Sequence, residues 1–94
     1  MASKGDAFKA EGEKALKRTT IFGFGKTQKY EDAAEAFSKA GNAYKLSNQW
    51  ESAGNMFMKA SECHAQADSA SDSLNDLVEA GNCFKKIDVS IQSS

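Results

Sequence analysis

Three side chains in this sequence have the reactivity for acid–base, redox or metal chemistry near neutral pH: His64, Cys63 and Cys83. An imidazole can serve as general base or metal ligand, and a thiol can act as nucleophile or close a disulfide. Neither chemistry finds its partners. His64 is the single histidine of the chain, and no Walker loop, CxxC pair, Ser/His/Asp set or zinc-like spacing accompanies it. Paired acids such as Glu31-Asp32 stand where a helix opens, which suits its dipole. A Cys63–Cys83 disulfide is geometrically poor, because antiparallel neighbours leave the two roughly 15 Å apart at about 1.5 Å of rise per residue. These residues predict a protein that is not an enzyme, takes no cofactor and no metal, and keeps both cysteines reduced as packing groups.

The elements that hold these residues explain them better. Phe37-Ser-Lys-Ala-Gly-Asn-Ala-Tyr44, Phe57-Met-Lys-Ala-Ser-Glu-Cys-His64 and Leu77-Val-Glu-Ala-Gly-Asn-Cys-Phe84 align without a gap at an offset of 20 residues. Upstream, Tyr30 aligns with Trp50, Glu31 with Glu51, and Ala33-Ala34 with Ala53-Gly54. His64 occupies the ring position shared by Tyr44 and Phe84, and the cysteines occupy the small-residue slot of Ala43. Large and small positions recur at helical spacing, so each unit is one helix and a short turn. Two units make a helical hairpin of tetratricopeptide-like size. In each, Ala40, Ala60 or Ala80 admits a neighbouring backbone while Phe37, Phe57 or Leu77 fills the gap. The chain has no proline, so nothing interrupts a helical ladder. The spacing predicts helices over 3–18, 30–46, 50–66 and 70–86, with Ser47-Asn48 and Asp68-Ser69 at the turns and able to cap the next helix. The fold class is therefore all-α: antiparallel hairpins of tetratricopeptide-like repeat in a right-handed α-solenoid of about four helices. A single domain over 1–94 is expected, with an apolar loop at 19–29 and an irregular tail at 88–94.

Charge is unevenly distributed. Residues 1–29 carry seven bases and three acids, whereas residues 30–94 carry five bases and ten acids. Within the basic part, residues 19–29 (TTIFGFGKTQK) break the helical pattern with Gly23 and Gly25. Ile21, Phe22 and Phe24 in a glycine-broken stretch rimmed by Arg18, Lys26 and Lys29 fit an interfacial anchor, rings among headgroups and lysines on anionic lipid. The competing reading folds Ile21 and Phe22 back over the first hairpin. No apolar run approaches the roughly 18 residues of a membrane span, and the N-terminus lacks a signal-peptide apolar region. A cytoplasmic protein, peripheral on membranes, is expected.

Ile21-Phe22-Gly23, then Lys29-Tyr-Glu-Asp-Ala-Ala34, Ala40-Gly-Asn-Ala-Tyr-Lys-Leu46, Trp50, Phe57, His64 and Glu79-Ala-Gly-Asn-Cys-Phe-Lys-Lys86 closely resemble the N-terminal part of the alpha-type soluble NSF attachment proteins. The likeness is collinear from about Ala7 to Asp88. It implies an adaptor of vesicle-mediated protein transport and membrane fusion, whose helical hairpins lie along the SNARE bundle that the ATPase NSF takes apart. It also implies membrane contact through Ile21, Phe22, Phe24 and Lys26. Lys39, Lys45, Lys59 and Lys85 are candidates for SNARE contact. The family's NSF-contacting C-terminal bundle has no counterpart in these 94 residues, so NSF is a partner only where such a part exists elsewhere. No nucleic-acid partner is expected. A generic peptide-binding scaffold and a short regulatory or decoy form are the alternatives. In the last helix, Leu74, Val78 and Ile87 point away from the preceding one, which predicts self-association or marginal stability as a monomer.

Overall fold

The computed structural model describes residues 3–18 and 25–93, and side chains over residues 3–18 and 25–87. Four helices follow in chain order: α1 (Lys4–Leu16), α2 (Lys26–Leu46), α3 (Trp50–Gln66) and α4 (Ala70–Ser93). No strand occurs among the described residues. Each helix packs on the next in sequence, giving an antiparallel array 54 × 33 × 13 Å across. The least dimension is about one helix diameter, so the array is essentially one layer.

Local sequence sets the helix ends. Ser3 caps α1, its hydroxyl accepting the Asp6 amide at 3.1 Å. Gly25 enters α2 at φ +83°, a backbone state that glycine adopts without penalty. Helix α2 therefore starts a turn before the expected residue 30, and residues 26–29 are helix rather than loop. At the other ends, Asn48 and Asp68 both stand at φ 60°. The Gln49 amide reaches back to the Tyr44 carbonyl at 2.9 Å, and the Asn48 amide to Lys45 at 3.0 Å. Twenty residues later Ser69 bonds His64 at 2.8 Å and Asp68 bonds Ala65 at 3.2 Å. Both are Schellman endings. Asn48 and Asp68 thus close the helix behind them; α3 follows Gln49 with no side-chain cap, while Ser69 stands just ahead of α4, its carbonyl accepting the Ser73 amide at 2.9 Å. Helix α4 runs to Ser93, correcting the expected stop at 86 and the irregular tail. After Gly81 the sequence has neither glycine nor proline, so the backbone ladder has no reason to break.

Packing follows one device. Phe37 and Tyr44 of α2 lie against Gly12 and Gly5 of α1, Phe57 of α3 against Gly41 of α2, and Phe84 of α4 against Gly54 of α3. A Cβ at any of these glycines would come within 2.8 Å of the facing ring. Each ring sits where a neighbour has no side chain. Ala40, Ala60 and Ala80 are buried as the repeat predicts, and Phe37 and Phe57 with them. Leu77 departs from its repeat mates: it is 42% exposed, because no further described helix lies beyond α4.

Candidate interaction surfaces

His64 sits on the inner side of α3 beside Asp76 of α4, its Nδ1 paired with Asp76 Oδ2. The hydroxyl of Ser38, on α2, donates to Asp76 Oδ1 at 3.4 Å. Burial raises the Asp76 pKa against the opposing pull of His64 and Ser38. The carboxylate stands between hydroxyl and imidazole, so the imidazole is not placed to take the Ser38 proton. The trio acts as a polar tie between three helices, and Ser61 and Ser73 add a 2.9 Å bond beside it. Ser38 is half-buried here. The repeat carried a signal for Asp76: its equivalents are Ala36 and Met56, both buried. A carboxylate in a core slot requires a partner.

Both cysteines are free and buried. Burial pushes the Cys63 thiol up to about 11 and raises Cys83 as well, which suppresses the thiolate. At the α1–α2 contact, Tyr44 donates to the Asp6 carboxylate. That bond lowers the Asp6 pKa, while burial first and Asp6 second push the phenol up to about 12. Among the described residues no group of three or more His, Cys, Asp and Glu side chains is placed to hold a metal ion.

The lysines singled out from the sequence occupy different settings. Lys39 lies over the Phe8 ring at 5.9 Å and pairs with Glu35 at 3.2 Å. Lys59, at the same repeat position, lies over Phe37 at 5.5 Å. Both cover inter-helix seams, and such cation–π contacts contribute about 0.5–1 kcal/mol when exposed. Lys45 reaches across α3, over Phe57 at 5.9 Å, to Glu79 of α4 at 3.0 Å. Lys85 is exposed on α4. The four do not form one cluster. Lys86 of α4 over Trp50 of α3 at 5.7 Å extends the same seam pattern and was not singled out, whereas Lys29, named from the sequence as part of the rim of the apolar stretch, lies over its neighbour Tyr30 at 5.4 Å within α2.

Lys26 is exposed at the start of α2; Ile21, Phe22 and Phe24 lie outside the described residues. Nearby, a cleft of about 700 Å³ between α1 and α2 is lined by Lys14, Lys17, Arg18 and Lys39 against Glu11, Asp32 and Glu35. Arg18 holds Asp32 at 2.8 Å, lowering that carboxyl's pKa, with Gln28 assisting. Internal pairing leaves the cleft little net charge. No described helix is long and apolar enough to cross a membrane.

The arrangement is thus a thin helical plate with charged seams, whose surfaces can bind but hold no described reactive centre. The chain is similar to an alpha-soluble NSF attachment protein of Vitis vinifera, 38% identical over 56 residues that make up 60% of this chain. It is likewise similar to the Homo sapiens and Mus musculus proteins of that name, 39% identical over 54 residues. The matched stretch spans 18% of the length of each relative. No solved structure matches the chain. Residues 3–93 match the soluble NSF attachment protein family, SNAP, across nearly the whole sequence, and the chain belongs to that family.

Proposed function

We propose that this chain is a binding module of the SNARE-disassembly machinery, an adaptor that engages SNARE complexes and a membrane surface in vesicle trafficking. The family match over residues 3–93 carries this reading, and its relatives are named as attachment proteins of NSF. In the proposal Lys39, Lys45, Lys59 and Lys85 offer positive charge to acidic side chains of a SNARE bundle. Lys39 and Lys59 occupy equal positions on successive helices, a spacing suited to an extended helical partner. Ile21, Phe22 and Phe24 insert among lipid headgroups, with Lys26 at the exposed head of α2 meeting anionic lipid. Each ring removed from water contributes about 1.5–3 kcal/mol, so one copy binds a membrane weakly and several copies on one bundle bind well.

Co-sedimentation with a reconstituted SNARE bundle, with and without phosphatidylserine liposomes, tests both contacts. Phe22→Ser with Phe24→Ser should abolish liposome binding while helix content by circular dichroism stays unchanged. Lys39→Glu with Lys59→Glu should weaken bundle binding and flatten its salt dependence. Unfolding of the double serine variant would make the rings core plugs and end the membrane reading. Bundle binding indifferent to both lysines would end the assignment of the seam face.

A further inference from the structure

The seam between α1 and α2 opens into the cleft of about 700 Å³, and both of its walls lie inside the sequence. Arg18 against Asp32 and Gly12 against Phe37 fix the antiparallel register. The cleft therefore runs from Arg18 and Asp32, where the chain leaves α1 for the apolar stretch, to Glu11 and Lys39 farther away. Ala15 and Ala36, small and buried, keep the space between the walls clear. Four of the seven charged groups that line it hold one another: Arg18 pairs with Asp32 at 2.8 Å, and Lys39 with Glu35 at 3.2 Å. Lys17, Lys14 and Glu11 are exposed and enter none of the ion pairs formed among the described residues. They follow one another at three-residue steps, about 4.5 Å of rise each. Leading away from the apolar stretch, the unpaired charges thus read plus, plus, minus.

We propose that this cleft takes the headgroup of an aminophospholipid, its phosphate between Lys14 and Lys17 and its primary ammonium on Glu11. The orientation rests on the proposed insertion of Ile21, Phe22 and Phe24, which sets Lys17 nearest the bilayer and Glu11 farthest from it. A phospholipid headgroup presents its charges in that order, phosphate beside the glycerol and amine beyond it. Two carbons join phosphate to ammonium, a span that matches one three-residue step. A cleft of little net charge, with unpaired groups of both signs, suits such a zwitterion better than a plain anion, which Glu11 and Glu35 would repel. The ammonium must be primary. A carboxylate accepts a charge-assisted hydrogen bond from an N–H, and the trimethylammonium of choline has none to give. Arg18 ties the two walls together at the lipid end, and Gln28 donates to the same Asp32 carboxylate at 2.8 Å, so the phosphate end is braced in advance. An acidic side chain of a protein partner would satisfy the lysines but set a second carboxylate against Glu11.

Titrating the isotope-labelled chain with glycerophosphoethanolamine should shift amide signals over residues 11–18 and 32–39, with a dissociation constant on the order of 1 mM. Glycerophosphocholine should bind about three- to tenfold more weakly, the worth of one hydrogen bond. In flotation with vesicles of equal phosphatidylglycerol content, phosphatidylethanolamine as the remaining lipid should bind more chain than phosphatidylcholine. Glu11→Gln should erase that preference and keep vesicle binding. Lys14→Gln with Lys17→Gln should weaken binding to both vesicles. All three positions are exposed, so melting temperatures should hold. Phe22→Ser with Phe24→Ser should lose the vesicles yet still bind glycerophosphoethanolamine, which separates the cleft from the insertion. Equal binding of the ethanolamine and choline forms, or a preference that survives Glu11→Gln, overturns the proposal even where the serine variant bears out insertion. Binding of the soluble headgroup without any vesicle preference would make the cleft a site for free phosphoamines and overturn the lipid assignment. So would lysine variants that lose the SNARE bundle and keep the vesicles, because the cleft would then belong to acidic side chains of that partner.

Discussion

At Asp76 the chain carries a carboxylate where its sister repeats carry Ala36 and Met56, and only His64 and Ser38 make that tolerable. Removing one partner strands the other, so His64→Ala should destabilise by about 3 kcal/mol in urea unfolding. The double variant His64→Phe with Asp76→Met, which installs the residues of the equivalent slots, should recover most of that loss. The pH profile tests a second pair of groups. Tyr44 and Cys63 have folded pKa values of about 12 and about 11, above their ordinary values of 10 and 9. Each contributes stability that is whole below its ordinary value and lost as pH rises through the folded one. Melting temperature should therefore fall between pH 9 and 12, and Tyr44→Phe should flatten the upper part of that fall. The packing role of His64 was readable in the sequence from its ring slot. Its pairing with Asp76 was not, because the repeat marks Asp76 as a core position without saying which helix comes to meet it.

Among the elements, the turns carry the clearest test. Asn48 and Asp68 hold a left-handed backbone that disfavours any residue with a side chain. Asn48→Gly and Asp68→Gly should each stabilise by roughly 0.5–1 kcal/mol, and Asn48→Ala should destabilise by a similar amount, read from chemical denaturation. The helix interfaces supply another. Ala60 is fully buried between neighbours, so Ala60→Leu should destabilise by about 1–3 kcal/mol, while Asn42→Leu on an exposed face should change little. The middle helices were readable because the repeat is gapless there: α3 matches its expected bounds, and α2 ends and α4 begins where the 20-residue ruler says. The ruler fails outside the repeats. Nothing in the Lys26–Lys29 stretch contrasts with the helix it joins, and nothing after Phe84 signals a stop. The glycine seats also escaped a reading that credited alanines with the close approach: Gly5 and Gly12 lie outside the repeated block, and within it Gly41 aligns with Ser61 and Gly54 with Ala34, so the repeat does not mark either slot as glycine.

For the molecule as a whole, packing among the described residues runs mainly from each helix to its neighbours in sequence. Stability in such an array sums over interfaces instead of residing in one centre. Gly12→Ala, which drives a methyl against the Phe37 ring, should therefore loosen α1 selectively. Native-state hydrogen exchange should show protection falling several-fold over residues 4–16 while α3 keeps its own.

Among the described residues, two side-chain links skip a helix. Ser38 to Asp76 and Lys45 to Glu79 both join α2 to α4 across α3. Their ends lie one above the other on each helix, seven residues apart on α2 and three on α4, so both tension the same face of the plate. A thin plate tied on one side bends toward that side, and its curvature depends on the ties. Ser38 to Asp76 is sheltered, whereas Lys45 and Glu79 are partly exposed and so open to screening by salt. The shape of the plate is then an adjustable spring setting. Small-angle scattering should show the radius of gyration, 14.0 Å in the tied form, increasing slightly with Lys45→Ala or with rising salt.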